Sequence, residues 1–579
     1  MKAVSLLQRP EFSDLDRHFA AFVARFGGDE RLVQWAAATL SKSVRDGHTC
    51  ITLESISSPV HVPADELEIL HLPAAAAWKN ELEKSAAVGP PEAETPLVLD
   101  EAGRLYLRRY WNYQQRLATA LREKCRRNPR VERPAGATQE DALEIALRHE
   151  LTIICGGPGT GKTSTAVRLL ERFLRAHGAD RPRVALTAPT GKAASRLEEA
   201  VREAALRLPE GDPIRALMPP AAKTIHRLLG SKGRSTSFRH HAENPLPLDL
   251  LIVDEASMVA LALLAKLFEA LPANCRVLLL GDPDQLASVE PGAVLADIVD
   301  AARARESPLR GSVVILQKNY RFGDESGVQR ACGAVRQGDA EGVLAFLRGT
   351  GPSDLVATEV SSVAELNRHA AAAVTAGFGD AASERDPATA LAKLRNFRVL
   401  AALRRGPWGV AGLNRAVIRE LATAGLIPDR AGAHYPGRPI LILQNDYELD
   451  LYNGDLGVLL PDPAGGSGSA EELYAWFFGQ DNNVRRVALA RLPAHETAYA
   501  MTVHKSQGSE FERVLFVLPE SDSPVLTREL IYTALTRARS GVQLCWNEPV
   551  LRAAVARRAQ RESGLRDLLA APLQPSAAR

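Results

Sequence analysis

The chain has only six cysteines in 579 residues, Cys50, Cys125, Cys155, Cys275, Cys332 and Cys545, and no two of them form a Cys-x-x-Cys pair. That scatter excludes the usual zinc and iron–sulfur ligand spacings and fits reduced thiols in a cytoplasmic protein. No apolar run approaches the roughly 18 residues of a membrane span. The opening stretch, MKAVSLLQRPEFSDLD, turns acidic before a signal-peptide core can form. A soluble, cytoplasmic chain is expected. A surplus of one charge sign is missing as well: 71 Lys and Arg face 69 Asp and Glu, for a formal net charge of +2. Contact with nucleic acid must then come from a local patch and not from a basic tail. No carboxylate cluster with a nearby lysine marks a metal-dependent nuclease.

What is present organises around Leu151 to Leu170, LTIICGGPGTGKTSTAVRLL: an apolar run, a glycine-rich loop, then a helical pattern. Gly156, Gly161, Lys162 and Thr163 fit the P-loop spacing in its strand–loop–helix context. The glycines at 156, 157, 159 and 161 let backbone N–H groups point inward as an anion nest, and the following helix adds its positive end. The loop from Gly156 through Gly157, Pro158, Gly159, Thr160, Gly161, Lys162 and Thr163 to Ser164 is the expected cradle for the phosphates of a nucleoside triphosphate. Lys162 is expected at the β- and γ-phosphates and the Thr163 hydroxyl on Mg²⁺.

From about 150 to 300 strand, loop and helix patterns alternate, which implies a parallel sheet with helices on its faces. The apolar strand LDLLIVDEAS delivers Asp254 and Glu255 to a strand's carboxyl end, where ligands bind in such sheets. Asp254 suits Mg²⁺ and Glu255 suits the polarisation of an attacking water. The next strand brings Gln285 to the same edge, where a neutral amide can sense phosphate without adding charge. Arg321, after the strand SVVILQ, and Arg537, in TRELIYTALTRAR, lie far beyond the P-loop. They are expected to reach the γ-phosphate from a second α/β unit, starting near Gly311, as arginine fingers.

The remaining segments are less specific. Residues 1–125 show helical periodicity and two strands around an acidic turn in LVLDEAGRLYLRRYW. They read either as a domain packed on the motor or as a module that docks a partner. A Pro/Arg linker at 126–137 separates them from a helix capped by Thr138. The segment 231–248 is a basic hairpin, either a solvated loop or a contact to phosphates. Residues about 433–495 read as a small β-barrel inserted in the second unit. After it, AMTVHKSQGSEF carries Thr502, His504, Lys505, Gln507, Gly508 and Ser509, residue types suited to a phosphodiester backbone.

The strings GGPGTGKT, APTGKAASRL, TIHRLLG, VDEASM, GDPDQLASVEPG, NYRF, NDY with NGDLG, TVHKSQGSEF and YTALTRAR occur in this order. Together they resemble the RecD helicases of superfamily 1, and the tail and overall length look like the alpha subunit of exonuclease V, the RecBCD helicase–nuclease. The resemblance spans residue 130 to the end. It implies an α/β fold of two RecA-like P-loop motor domains, 138–305 and 306–579. It also implies a β-hairpin insertion, an SH3-like β-barrel insertion and a mainly helical N-terminal domain. The implied function is a 5′-to-3′ DNA helicase working beside a beta and a gamma subunit on double-stranded DNA ends, with the cutting activity in another subunit. Gln139 stands where many helicases place a glutamine that reads adenine. Lys162, Thr163, Asp254, Glu255, Gln285, Arg321 and Arg537 would serve ATP hydrolysis, and Thr190, Gly191, Lys192, His226, Thr502, His504 and Lys505 would touch single-stranded DNA. Alternatives are a stand-alone RecD-like helicase, an RNA motor, or a scaffold subunit that binds ATP only as a structural ligand.

Overall fold

The computed structural model describes residues 10–57, 72–128, 137–177, 180–231, 235, 237–323, 325–349, 352–429, 432–446, 448–462, 472–479 and 483–572. Ser13 and Asp16 form a capping box that starts the helix Asp14–Ala24, and the Asp29 carboxylate caps Glu30–Arg45. These helices pack on a small sheet of β1 (Ile51–Thr52), β2 (Val88–Gly89), β3 (Leu97–Leu99) and β4 (Arg104–Leu107), in the order β1-β4-β3-β2. The acidic turn expected in LVLDEAGRLYL joins β3 to β4, with the Asp100 carboxylate accepting from the Arg104 backbone at 2.8 Å.

Short apolar runs buried on both faces build the first large sheet, as parallel strands covered by helices require. It contains β5 (Leu151–Cys155), β6 (Val184–Ala188), β7 (Ala222–Thr224), β8 (Leu250–Val253), β9 (Arg276–Gly281) and β10 (Val313–Ile315). Their order is β10-β5-β9-β8-β6-β7, every pair parallel. One assignment differs from the sequence reading: SVVILQ does not open the second unit but supplies the edge strand of the first sheet, paired with Ile153 to Cys155. Its apolar residues would fill an edge position in either sheet, so periodicity carried no information on which.

The second sheet contains β11 (Leu355–Glu359) and β12 (Phe397–Ala401). An excursion of β13 (Pro439–Ile442), β14 (Leu456–Pro461), β15 (Leu473–Phe478), β16 (Val484–Ala488) and β17 (His495–Thr497) follows. Then β18 (Ala500–Thr502), β19 (Phe511–Val517) and β20 (Ala538–Trp546) complete the sheet in the order β11-β20-β19-β12-β18, all parallel. The excursion is an antiparallel sheet ordered β16-β15-β14-β13-β17 around its own core of Ile440, Ile442, Leu451, Leu459, Phe477 and Val487. Its last strand runs two residues past the expected end.

The N-terminal region and the first large sheet share one continuous core, in which Trp35, Leu117 and Leu121 belong to the same cluster as Leu264, Phe268 and Val299. The chain's last described segment returns to that junction. Glu562 accepts from Thr52 N at 3.1 Å and Ser55 Oγ at 2.5 Å, and Asp567 pairs with Arg104 at 2.6 Å.

Candidate nucleotide cleft and nucleic-acid path

Strands β5, β9 and β8 are neighbours and parallel, so the loops after their carboxyl ends lie side by side. Those loops carry the P-loop, Asp282 to Gln285, and Asp254 with Glu255. The second sheet faces them with the residues just before β19 and β20, namely Glu510 and Arg537, whose strands are tied by Phe511 N donating to Arg537 O at 2.9 Å. Between the two sheets lies a cleft of about 450 Å³ lined by Lys162, Thr163, Asp254, Glu255, Gln285, Arg321, Glu510 and Arg537.

The P-loop turns at Gly159 (φ +84°) and Gly161 (φ +81°), conformations that L side chains rarely adopt. A Cβ at Gly161 would meet the Gln139 amide at 2.1 Å, and one at Gly157 would meet the Tyr532 hydroxyl at 2.7 Å. The Gln139 amide donates to Thr160 O at 3.1 Å. Lys162 Nζ donates to Gly156 O at 2.6 Å and Gly157 O at 3.1 Å, so its ammonium is held over the loop by carbonyl oxygens.

Thr163 Oγ1 donates to Asp254 Oδ2 at 3.2 Å. Burial, reinforced by the neighbouring Glu255 charge, pushes the Asp254 carboxyl up to about 6, although the Glu255 N–H and Lys162 oppose that rise. Glu255 itself sits at φ +52°, in the left-handed region, with its N–H donating to Asp254 Oδ1 at 2.8 Å. A buried carboxylate short of positive charge, beside a hydroxyl oxygen, fits a divalent cation. Among the described residues no cluster of three or more His, Cys, Asp or Glu could hold a metal alone. A cation here would share its shell with phosphate and water, which is how Mg²⁺ is commonly bound.

Polar contacts close the cleft. Arg537 Nη2 donates to Gln285 Oε1 at 2.8 Å, and its other nitrogens reach Thr533 O at 3.1 Å and Ser509 O at 3.2 Å. Leu286 N donates to Thr533 Oγ1 at 2.9 Å and Gln507 Nε2 to Leu286 O at 2.6 Å. Arg321 follows β10, and its neighbours Asn319 and Tyr320 hydrogen-bond to Pro158 O and Gly159 O at 3.1 Å and 2.8 Å. Its guanidinium therefore rides on the P-loop side of the cleft. Arg321 Nη2 donates to Glu510 at 2.5 Å, and Glu510 also pairs with Arg196 at 2.7 Å and Arg539 at 3.2 Å. Burial opposes the Glu510 charge, yet Arg196, Arg321 and Arg537 hold its carboxyl down at about 2.

The residues expected on DNA lie at two neighbouring places and one further along. Thr190 caps the helix Gly191–Arg207, and its hydroxyl is the atom that a Cβ on Gly508 would approach at 3.3 Å. Lys192 Nζ lies 3.4 Å from Ser509 Oγ, with burial pushing its ammonium down to about 8 against the opposing Asp455 charge. Thr502 ends β18 and accepts from Lys505 N at 3.3 Å, while Lys505 Nζ is paired with Glu496 at 2.5 Å. His226 is on the helix Ile225–Leu229, its ring 5.8 Å from that of Phe238. Burial lowers the pKa of His226 and of His504 below the ordinary histidine value, which favours the neutral imidazole as a hydrogen-bonding group. The hairpin expected at 231–248 has bridges Ser231 to Phe238 and His241 to Asn244, with 232–234 and 236 outside the described residues.

Sequence reasoning missed Arg196, Glu510, Asp282, Tyr532 and Tyr320. Tyr320, 60% exposed at the cleft mouth, was inside a quoted motif and could have been found as an aromatic beside a nucleotide site. Arg196 and Glu510 carry no local signal, because only the fold brings them together.

Comparison with known proteins matches residues 8–106 to the family described as RecBCD enzyme subunit RecD, N-terminal domain. Residues 139–291 match an AAA domain and 497–545 a UvrD-like helicase C-terminal domain. A RecBCD enzyme subunit RecD from Mycolicibacterium smegmatis is 40% identical over 93% of this chain and 93% of its own length. Its counterpart from Haemophilus influenzae is 33% identical over 74% and 72%. An ATP-dependent RecD2 DNA helicase from Deinococcus radiodurans is 31% identical over 77% of this chain but 56% of its own. The crystal structure of a Pif1 helicase from Candida albicans covers 72% of this chain and 95% of that one, at 18% identity and a TM-score of 0.38.

Proposed function

This chain belongs to the RecBCD enzyme subunit RecD family and is an ATP-dependent DNA helicase, and from that premise we propose that it walks 5′-to-3′ on single-stranded DNA as one motor of a RecBCD-type complex. The observation that carries this reading is the single cleft in which Lys162, Thr163, Asp254, Glu255 and Gln285 from the first sheet face Arg537 and Glu510 from the second. A nucleotide bound there is a tie between two units that can move.

In this reading Lys162 leaves the P-loop carbonyls to bind the β- and γ-phosphates of ATP, on the nest whose members run from Gly156 to Ser164. Gln139 meets the adenine edge and Tyr320 offers an aromatic face. Thr163 and Asp254 would hold Mg²⁺, which supplies charge neutralisation at the phosphate oxygens when bound. Glu255 accepts the proton of the attacking water, and Gln285 orients that water or the γ-phosphate. Arg321 and Arg537 stabilise the charge that develops on the transferred phosphoryl group, a class of contact worth roughly 10³–10⁵ in rate.

Single-stranded DNA would run across both motors, touching Thr190, Gly191 and Lys192 on the first, Thr502, His504 and Lys505 on the second, and His226 beside the hairpin at 231–248. Lys192 gives that path part of its salt dependence, and Lys505 would add to it only when released from Glu496. The motors are taken as 138–305 and 306–579, except that β10 passes from the second range to the first sheet, with the antiparallel excursion as an SH3-like barrel. Residues 1–125 would dock a gamma subunit beside a beta subunit in the cytoplasm, on double-stranded DNA ends in break repair and degradation of linear DNA. No helix among the described residues is long and apolar enough to cross a membrane. The match of residues 8–106 to the RecBCD subunit RecD N-terminal domain, with 40% identity to a RecD subunit against 31% to the RecD2 helicase, favours the complex over a stand-alone motor.

Unwinding of duplexes with either a 5′ or a 3′ single-stranded overhang, with ATP and Mg²⁺, tests the polarity. Opening from the 5′ overhang alone is expected. Opening from the 3′ overhang would overturn it, and a silent ATPase in the presence of DNA would bring the scaffold reading forward.

A further inference from the structure

The phenol of Tyr532 has no part in the hydrolytic reading above, yet it lies at the centre of the cleft's contacts. It belongs to the helix Arg528–Leu535 of the second unit, is almost fully buried, and donates to Asp282 Oδ2 at 3.0 Å. The same carboxylate oxygen accepts from Gln285 Nε2 at 3.0 Å. Gln285 in turn accepts from Arg537 Nη2 at 2.8 Å. Tyr532 lies in the helix Arg528–Leu535 and Arg537 in the turn that follows it, so the contacts, joined through this short stretch of backbone, form a closed ring that crosses the cleft twice.

Chemistry fixes the direction of every bond in that ring. An arginine can only donate, and the Asp282 carboxyl, raised by burial against the opposing Lys162 charge, uses its Oδ2 to accept from both Tyr532 and Gln285. Turning the Gln285 amide over would point its oxygen at Asp282 and its nitrogen at Arg537, losing both contacts. The amide is therefore held one way round, by Arg537 directly and by Tyr532 through Asp282. The phenol also sits where a Cβ on Gly157 would be 2.7 Å away, so its own position depends on the second unit lying against the P-loop.

We propose that Tyr532 is a positioning residue that orients Gln285 through Asp282 only when the two motor units are closed on each other. The inference rests on the proposed ATP hydrolysis in this cleft, with Gln285 as the group that is aimed.

The test is the full-length Tyr532→Phe chain, which keeps the ring packing and removes one hydroxyl. DNA-stimulated kcat is expected to fall about tenfold, the scale of one hydrogen bond, while equilibrium binding of a non-hydrolysable ATP analogue stays unchanged. Combined with Gln285→Ala, Tyr532→Phe should add nothing to the loss from Gln285→Ala alone. Thr533→Val, which removes the neighbouring tie to the Leu286 N–H, should multiply with Gln285→Ala instead. An unchanged kcat in Tyr532→Phe, a parallel loss of analogue binding, or multiplicative losses with Gln285→Ala would each overturn the proposal. Absence of ATPase in the unmodified chain would be a failure of the proposed function itself, and is distinguished by that control.

Discussion

Arg321 donates to Glu510 at 2.5 Å while its Nη1 is buried with no hydrogen-bond partner among the described residues. A guanidinium half-used by a carboxylate and half-unsatisfied is poised for a second anion, because an unpaired buried donor costs more than the bond it fails to make. Glu510 shares its charge with Arg196 and Arg539, so the cluster remains cationic around it. The position suits a phosphate group entering from the P-loop side.

Arg537 differs from Arg321 in being almost fully buried and fully engaged, with contacts to Gln285, Thr533 and Ser509. Arg537→Lys is expected to leave nucleotide affinity intact and cut hydrolysis by about 10³, since one ammonium cannot reproduce a planar fork that serves three acceptors. Nucleotide binding by equilibrium titration and steady-state ATPase separate the two effects. Equal losses in both would make Arg537 a structural residue.

Lys505 is paired with Glu496 at 2.5 Å, each side chain about one-quarter exposed. A lysine already neutralised contributes little to a polyanion, so Lys505→Ala alone should change DNA affinity only slightly. Glu496→Gln should release the ammonium, tighten single-stranded DNA binding and steepen its salt dependence by about one counterion. Fluorescence anisotropy across a salt series reads both. Weaker binding in Glu496→Gln would show that the carboxylate positions the lysine and does not compete with DNA.

The parts of this cleft that were legible in the sequence are those whose chemistry is local. Gly156 to Thr163 announce themselves because a nest needs glycines at fixed spacing, and Asp254 and Glu255 because four buried apolar residues precede them in β8. The strand Val313–Ile315 was legible as a strand but not as a member of the first sheet, since pairing partners leave no trace in periodicity. Glu510, Arg196 and the Glu496 partner of Lys505 were illegible for a related reason. Their roles arise from charges that meet across 9 to 314 positions of chain, and a charged residue on a helix or loop looks the same whether it faces water or another charge.

The N-terminal region reads in sequence either as a domain packed on the motor or as a module that docks a partner, and in the structure its long helix Arg108–Arg126 packs against Leu261–Glu269 of the first motor. Leu117, Leu121, Leu264 and Phe268 are buried in one cluster. Burial of each such side chain is worth about 1.5–3 kcal/mol, so exposing several of them spends much of the about 5–15 kcal/mol that holds a typical domain. Deletion of residues 1–126 is therefore expected to give an insoluble or partly unfolded chain. A truncated chain with native circular dichroism and ATPase would refute the shared core.

Asp254 links the cleft to pH and to metal. Its carboxyl is raised from 3.8 to about 6, chiefly by burial and then by Glu255, so the folded chain binds a proton more tightly than the unfolded chain does. The stability this supplies is complete below about pH 4 and is lost as pH rises through about 6, where a buried charge must form. Without ligands, the melting temperature of the wild type should accordingly fall relative to that of Asp254→Asn as pH is raised from 4 to 7, leaving the variant more stable by a few degrees at neutral pH. A cation reverses the sign, because it binds the ionised form and holds the proton off. ATP analogue with Mg²⁺ should stabilise the wild type at pH 7, chelation with EDTA should remove most of that gain, and Asp254→Asn should gain little from the metal. Thermal melts of both chains at several pH values, with and without Mg²⁺, read all three effects. An Asp254→Asn chain that gains as much from Mg²⁺ as the wild type would place the cation elsewhere in the cleft.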